Sequence, residues 1–241
     1  MGRSPRNLRP DLNGILVVDK PLGLTSAAVC RKVRALTGGA KVGHAGTLDP
    51  LATGVLVLCL GTATKRIDSI MGTSKRYHTT IDLSAFSTTD DAEGERTQID
   101  VMTPPTLEGV RSACKSFVGQ IEQRPPVFSA VHVDGKRSYK TARNAEREGA
   151  LDAVERPSAK RVTIHSIEIL RYEWPELELD ITSGKGVYIR SIARDLGEAL
   201  GTGGMLTSLR RTAVGEFDEA SAHMLQDLVQ LESIETCLLS A

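Results

Sequence analysis

The stretch that most restricts this chain is Lys41 to Gly54, Lys-Val-Gly-His-Ala-Gly-Thr-Leu-Asp-Pro-Leu-Ala-Thr-Gly, followed at once by the apolar run Val55 to Leu60. An uncharged run of that length has to be buried, and its end is fixed by what precedes it. Gly43, Gly46 and Gly54 let backbone approach backbone or a ligand closely. The Asp49-Pro50 pair biases Asp49 out of the helical region into an extended or turn conformation. One ionisable carboxylate is therefore held on a tight loop against a buried strand, which is how a scaffold presents a reactive group. A plain turn in which Asp49 bonds its own backbone accounts for the same residues.

The rest of the chain supplies elements around this loop. Gly14 to Asp19 is a short apolar run and reads as a buried strand. Lys20 to Thr25 is a turn punctuated by Pro21 and Gly23. Thr25 or Ser26 caps a helix through Leu36 that ends at Gly38-Gly39. A short helix is expected near Thr64–Met71. Lys75 to Leu83 alternates and is rich in β-branched residues, so it predicts a strand. Ser87 to Gly94 is a polar hairpin loop, and Thr106 caps a helix running to Val118. Arg124 to Val133 is extended, Asp134-Gly135 turns, and Lys136 to Glu148 predicts a basic amphipathic helix. Arg161–Trp174 and Glu176–Thr182 make a hairpin. Val187 to Leu200 is a helix, Met205 to Phe217 a strand, and a short acidic helix finishes the chain. No regular βαβ repeat appears. The fold class is α+β with a central, largely antiparallel mixed sheet flanked by helices.

Composition narrows the function. At 241 residues, 40% hydrophobic and 25% charged, the chain fits a soluble protein of one large domain, or one domain with a small appendage. The basic, polar N-terminus lacks the apolar segment of a secretory signal, and no apolar run spans a bilayer, so a cytoplasmic protein without a membrane partner is expected. Cys30, Cys59, Cys114 and Cys237 are scattered singly, and the five His form no ligand cluster, so no metal site is expected. Phosphate-loop, dinucleotide and serine-elbow motifs are missing. The formal net charge is zero, yet it is segregated. Residues 19–76 hold nine Lys/Arg against three Asp/Glu, 124–147 hold six against two, and 184–211 hold five against two. If these stretches share a face they make a basic groove; otherwise they are solvated surface. What remains is a lone loop Asp, several arginines, and Tyr77 and Tyr188 among basic residues. Such parts suit a cofactor-free reaction driven by one carboxylate on an anionic substrate.

Gly43-His-Ala-Gly-Thr-Leu-Asp-Pro-Leu-Ala-Thr-Gly54 resembles the signature of the TruB family of tRNA pseudouridine-55 synthases, almost letter for letter. Asp19-Lys-Pro-Leu-Gly-Leu-Thr-Ser26, Lys75-Arg-Tyr77 and Thr88-Thr-Asp-Asp-Ala-Glu-Gly94 resemble further family motifs in the same order. So do Arg124 to Arg143, Ser183 to Gly197 and Leu209-Arg-Arg-Thr212, and together the likeness covers roughly residues 14–215. Phe128 and His132 depart from it, where the family usually has Tyr and Lys.

The resemblance implies the pseudouridine synthase fold and an isomerase that turns one uridine of the TΨC arm of tRNA into pseudouridine, with no cofactor. It implies a catalytic domain over residues 13–215 with an RNA-gripping insertion at 124–152. Ahead of it lies a disordered basic tail (1–12), and after it a short acidic segment (216–241) too small for the additional RNA-binding PUA module. By the same resemblance Asp49 is the nucleophile, attacking the sugar or the base or acting as a base at C2′. A nucleophilic Asp must be ionised, and burial alone disfavours its charge, so Arg190 supplies the counter-charge. Tyr77 stacks on the flipped base and can move a proton. His44 fills the gap that base leaves, Tyr188 and Leu209 line the uracil site, and Lys20 supports the loops. Lys136, Arg137, Lys140 and Arg143 contact RNA phosphates. A monomer needing no protein partner is implied, and a tRNA-folding chaperone role is compatible with catalysis. A non-catalytic RNA-binding protein on the same fold would need no Asp49, and a guide-dependent rRNA modifier would carry extended termini.

Overall fold

The computed structural model describes residues 9, 11–133, 135–151, 154–228 and 231–240. The expected tail over residues 1–12 falls mostly outside them, as does Asp134 of the expected turn. The chain divides into two compact units. The first holds Met1–His78 and Leu209–Ala241, the second Thr79–Ser208.

In the first unit, β1 (Gly14–Lys20) leads to α1 (Ser26–Leu36). Thr25 is the cap. Its hydroxyl accepts from Ala28 N at 3.1 Å and satisfies an amide that a helix start leaves orphaned. β2 (Val42–His44) lies beside β3 (Ala52–Leu60), which is antiparallel to β1 from Gly14 opposite Leu60 to Lys20 opposite Gly54. β3 starts earlier than the apolar run suggested, because Ala52 and Thr53 find ladder partners in Leu209 and Arg210. Ile15, Val17, Val55, Val57 and Cys59 cluster with Ala45, Ile70, Val214 and Phe217. Leu16, Val18, Leu56 and Leu58, at the alternate positions, are buried as well. Successive strand residues face opposite ways, so both faces of β1 and β3 are covered, which is why they read as unbroken apolar runs. The helix expected over Thr64–Met71 is split into a 3-10 segment, Gly61–Arg66, and α2 (Ile67–Gly72). β4 (Lys75–Asp82) carries the chain into the second unit.

There, β5 (Ala85–Ser87) and β6 (Arg96–Gln98) form the hairpin around the polar loop. α3 (Leu107–Ser116) begins on its Thr106 cap. β7 (Gly119–Gln123) follows, then β8 (His132–Val133), β9 (Lys136–Arg137) and α4 (Ser138–Arg147). The basic helix is thus shorter than expected. Lys136 and Arg137 pair back onto Val133 and His132, and Ser138 N is held by Val131 O at 2.8 Å, so helix begins only there. β10 (Lys160–Glu173) and β11 (Glu176–Ser183) make the long hairpin, with Val162, Ile164, Leu177, Leu179 and Ile181 buried. α5 (Ile189–Leu200) starts two residues late. The Tyr188 backbone is held extended by Gln123, whose amide donates to Tyr188 O at 3.1 Å and accepts from Tyr188 N at 2.9 Å.

β12 (Met205–Val214) returns to the first unit, and the chain reverses at Gly215 instead of continuing to Phe217. β13 (Phe217–Asp218) pairs back on it, β14 (His223–Met224) lies parallel to β1, and α6 (Leu231–Thr236) is the expected last helix. Strand order is β14–β1–β3–β12 in the first unit and β4–β11–β10–β7 in the second. The pairs β1/β14 and β3/β12 are parallel, and β1/β3, β10/β11 and β7/β10 are antiparallel. The architecture is α+β with a mixed sheet. No described helix is long and apolar enough to cross a membrane.

Backbones nearly touch behind α5. A Cβ added at Gly197 would sit 2.2 Å from Gly203 O, main-chain atoms that cannot swing aside. Gly197→Ala should lower stability by about 3 kcal/mol, within the range of overpacked cores. Gly72→Ala, where an added Cβ meets nothing within 4 Å, should leave the urea midpoint unchanged or slightly raised. Equal midpoints for both variants would refute the close-packing argument.

Candidate active site

The Asp49 loop is held at almost every residue by groups of the first unit. Ser26 Oγ accepts from Leu48 N at 2.8 Å and donates to Leu48 O at 3.1 Å. Gly23 N donates to Pro50 O at 2.8 Å. Ala52 N donates to Asp49 O at 3.1 Å and closes the turn. Lys20, fully buried, donates from Nζ to Pro21 O at 2.8 Å and Leu24 O at 2.7 Å, with Pro50 O at 3.4 Å. The lysine therefore ties the turn after β1 to the loop. Asp49 is half-buried at the centre of this frame.

Arg211 holds the two ends of the loop. Nε donates to Val55 O at 2.8 Å and Nη2 to Gly46 O at 3.1 Å. The Tyr77 hydroxyl lies within reach of the charge on the same guanidinium. Tyr77 is 8% exposed and Arg211 only 1%. Leu209, two residues before Arg211 on β12, shares its face and sits in register with Ala52. Gly54 makes this approach possible. It has φ +95°, and an added Cβ would lie 2.2 Å from Arg211 O. His44 ends β2, half-buried, and its Nδ1 is buried with no hydrogen-bond partner among the described residues. Burial first, and then the charge of Arg211, push its imidazole pKa below the ordinary value. Lys75 donates to Met71 O and Thr73 O, both at 2.6 Å. Burial and the Arg211 charge push it down to about 8.

The second unit positions Tyr188 and Arg190. Tyr188 precedes α5 and is half-buried. Arg190 is 5% exposed, so it is no solvated helix charge. Its Nη1 lies 3.3 Å from Asp91 and donates to Thr89 O at 3.0 Å, and Nη2 donates to Phe128 O at 3.0 Å. One turn on, Arg194 pairs with Asp90 at 2.7 Å and donates to Arg124 O at 2.9 Å. Asp90 also receives Arg156 at 3.2 Å and has φ +62°, a left-handed backbone that Asp tolerates better than most residues. The two arginines of α5 thus hold the segment after β7 by its carbonyls. Lys136 and Arg137 lie exposed on β9. Lys140 and Arg143 are exposed on α4 at helical spacing, with Arg143 5.7 Å from the Tyr139 ring centre.

Sequence reasoning did not single out Arg211, Ser26 or the Asp90–Asp91 pair. A signal existed for the last, since two adjacent carboxylates match two arginines spaced i, i+4 at 190 and 194. A buried imidazole held below its free pKa of about 6.5 destabilises the fold as pH falls below that value, because the unfolded chain then binds the extra proton. The His44 resonance should therefore titrate at a midpoint below about 6.5. His44→Asn should lessen the acid-side loss of stability. A midpoint above that of free histidine would contradict the burial argument.

Residues 34–189 match the family model described as TruB family pseudouridylate synthase (N terminal domain), and residues 190–239 match that of the tRNA pseudouridylate synthase B C-terminal domain. The chain is 46% identical to tRNA pseudouridine synthase B of Ruegeria sp. (strain TM1040), over 98% of this chain and 73% of that one. It is 44% identical to tRNA pseudouridine synthase B of Arthrobacter sp. (strain FB24), over 93% of this chain and 73% of that one. Among solved structures, a chain in the crystal structure of a Cbf5-Nop10-Gar1 complex is 25% identical with a TM-score of 0.71, covering 100% of this chain and 66% of that one. The chain belongs to the TruB family of pseudouridylate synthases.

Proposed function

We propose that the protein is a tRNA pseudouridine synthase that isomerises the uridine at position 55 in the TΨC loop, with Asp49 as nucleophile. The observation that carries this reading is the likeness, at 44% to 46% identity over nearly the whole chain, to tRNA pseudouridine synthase B proteins. The reaction breaks the N1–C1′ glycosidic bond, turns the uracil and joins C5 to C1′. Every atom and electron is conserved apart from a proton moved from C5 to N1, so the step calls for placement and proton handling and for no redox partner.

A uridine stacked in a folded arm has to be extruded, at a cost of a few kcal/mol. Stacking on Tyr77 can offset about 1–3 kcal/mol of it. His44, kept neutral by burial and Arg211, suits the space that the base leaves, because a neutral ring enters a base stack without carrying charge into it. Arg190 acts as the counter-charge of Asp49, and Tyr188 and Leu209 line the uracil. The exposed cations of β9 and α4 clamp phosphates, with residues 124–152 acting as the gripping insertion of a catalytic domain over 13–215. A monomer working in the cytoplasm goes with this reading.

Unmodified tRNA transcript, incubated with the protein and mapped by chemical labelling of pseudouridine, tests the activity. Modification should appear at position 55 and vanish when that uridine is replaced by cytidine. Asp49→Asn should bind the transcript as wild type does and form no pseudouridine, whereas turnover near wild type removes the nucleophile assignment. Lys140→Ala and Arg143→Ala should weaken binding and flatten the dependence of log affinity on log salt by about 1 for each phosphate no longer neutralised. Affinity unchanged at two salt concentrations would sink the clamp.

A further inference from the structure

Arg211 is buried with its charge, yet among the described residues it meets no carboxylate. Taking a guanidinium out of water is costly, and replacing a buried ionic group by an apolar one of similar volume is often neutral or stabilising. A pin for the fold alone would not need this residue. Its donors go to Gly46 O and to Val55 O, and its charge bears on the Tyr77 hydroxyl. The two carbonyls stand on either side of Asp49 in the chain, so one planar group sets the separation of the loop's ends. The Tyr77 hydroxyl lies beside the same charge. A guanidinium only donates and is positive, so it favours the tyrosine's oxygen turned toward it and the hydroxyl proton turned away.

We infer that Arg211 is a positioning residue for the reaction, a rigid fork that sets the Asp49 loop and the orientation of the Tyr77 hydroxyl together. This rests on the assignment of Asp49 and Tyr77 as the reacting residues. The same cation bears on His44, so a third residue of the proposed site answers to it.

The test is a mutant cycle on the full chain, reading single-turnover pseudouridine formation and tRNA affinity. Arg211→Gln should fold, bind tRNA as wild type does and react about 100-fold more slowly, the scale expected when a reacting group is misplaced by about 1 Å. Arg211→Lys keeps the charge but not the planar fork. It should recover little of the rate while leaving the His44 titration where it is in wild type, whereas Arg211→Gln should move that titration upward. In a Tyr77→Phe background, Arg211→Gln should add less than about tenfold, the non-additivity of residues that act through one another. The Cζ carbon resonance of Tyr77 should shift in Arg211→Gln, because the guanidinium charge beside the hydroxyl is gone. Wild-type turnover in a folded Arg211→Gln, equal rate reductions in both backgrounds, or an unmoved Tyr77 resonance each overturns the inference. If Arg211→Gln does not fold, Arg211→Lys carries the cycle and the resonance measurement on the same criteria. Failure of the underlying site looks different: Asp49→Asn and Tyr77→Phe would then keep wild-type turnover whatever Arg211 does.

Discussion

The first unit depends on a cation sealed inside it. Arg211 exchanges water for Val55 O and Gly46 O, and it stays there because β12 runs parallel beside β3 with Arg211 in register with Gly54. Everything nearby is shaped to admit it. Gly54 has no side chain because one would strike the Arg211 backbone. The loop from Gly46 to Val55 is as long as the span between the two carbonyls the fork can reach. An unmade hydrogen bond on a buried donor costs about 1–3 kcal/mol, more for a charged group, so the loop cannot drift without leaving the guanidinium unsatisfied. That penalty turns a glycine-rich segment, which on its own would be mobile, into a fixed platform for Asp49.

The second unit answers the same problem differently. Arg190 and Arg194 are also buried, but each faces a carboxylate, Asp91 and Asp90 respectively. Adjacent acids would repel one another if both pointed to one place. The left-handed backbone at Asp90 turns the two side chains onto successive turns of α5. Each arginine also donates to a carbonyl of the segment after β7, Phe128 O and Arg124 O respectively, and Arg194 reaches Asp195 besides. Arg156, further along the chain, returns to Asp90. Both flanks of the segment that carries α4 are thereby tied to one acidic turn, while the cations of α4 itself stay exposed.

What could be read from the sequence was local. Thr25 and Thr106 cap helices because a hydroxyl three residues ahead of an amide is a short-range arrangement. β1 and β3 declared themselves by unbroken apolar runs, and β10 and β11 by alternation around Pro175. What was hidden depended on distant partners. Nothing near Ser138 says that its amide will be taken by Val131 O and delay the helix, and nothing near Val187 says that Gln123 will hold the next residue extended. Arg211 is the extreme case. An arginine in an alternating strand reads as a solvent-facing charge, and only the register of β12 against β3 decides that it points inward. For the candidate site, the local sequence pointed to the Asp49 loop and the resemblance to Tyr77, His44 and Leu209, while Arg211, which bonds Gly46 O and Val55 O on either side of Asp49, was not singled out.

Three cations in the first unit share one device. Lys20, Lys75 and Arg211 each donate to main-chain carbonyls, Lys75 across the end of α2, where a helix exposes orphan carbonyls. Carbonyl dipoles solvate a charge without cancelling it, whereas a carboxylate would. For Lys75 and Arg211 the electrostatics register this directly, since the charge of Arg211 adds to burial in pushing Lys75 down. Many of the other charges of this chain pair off on the surface, as Arg171 does with Glu173, Glu176 and Glu178. The field at a site follows from local charge and not from the sum over the chain, so a formal charge of zero does not by itself count against a polyanionic partner.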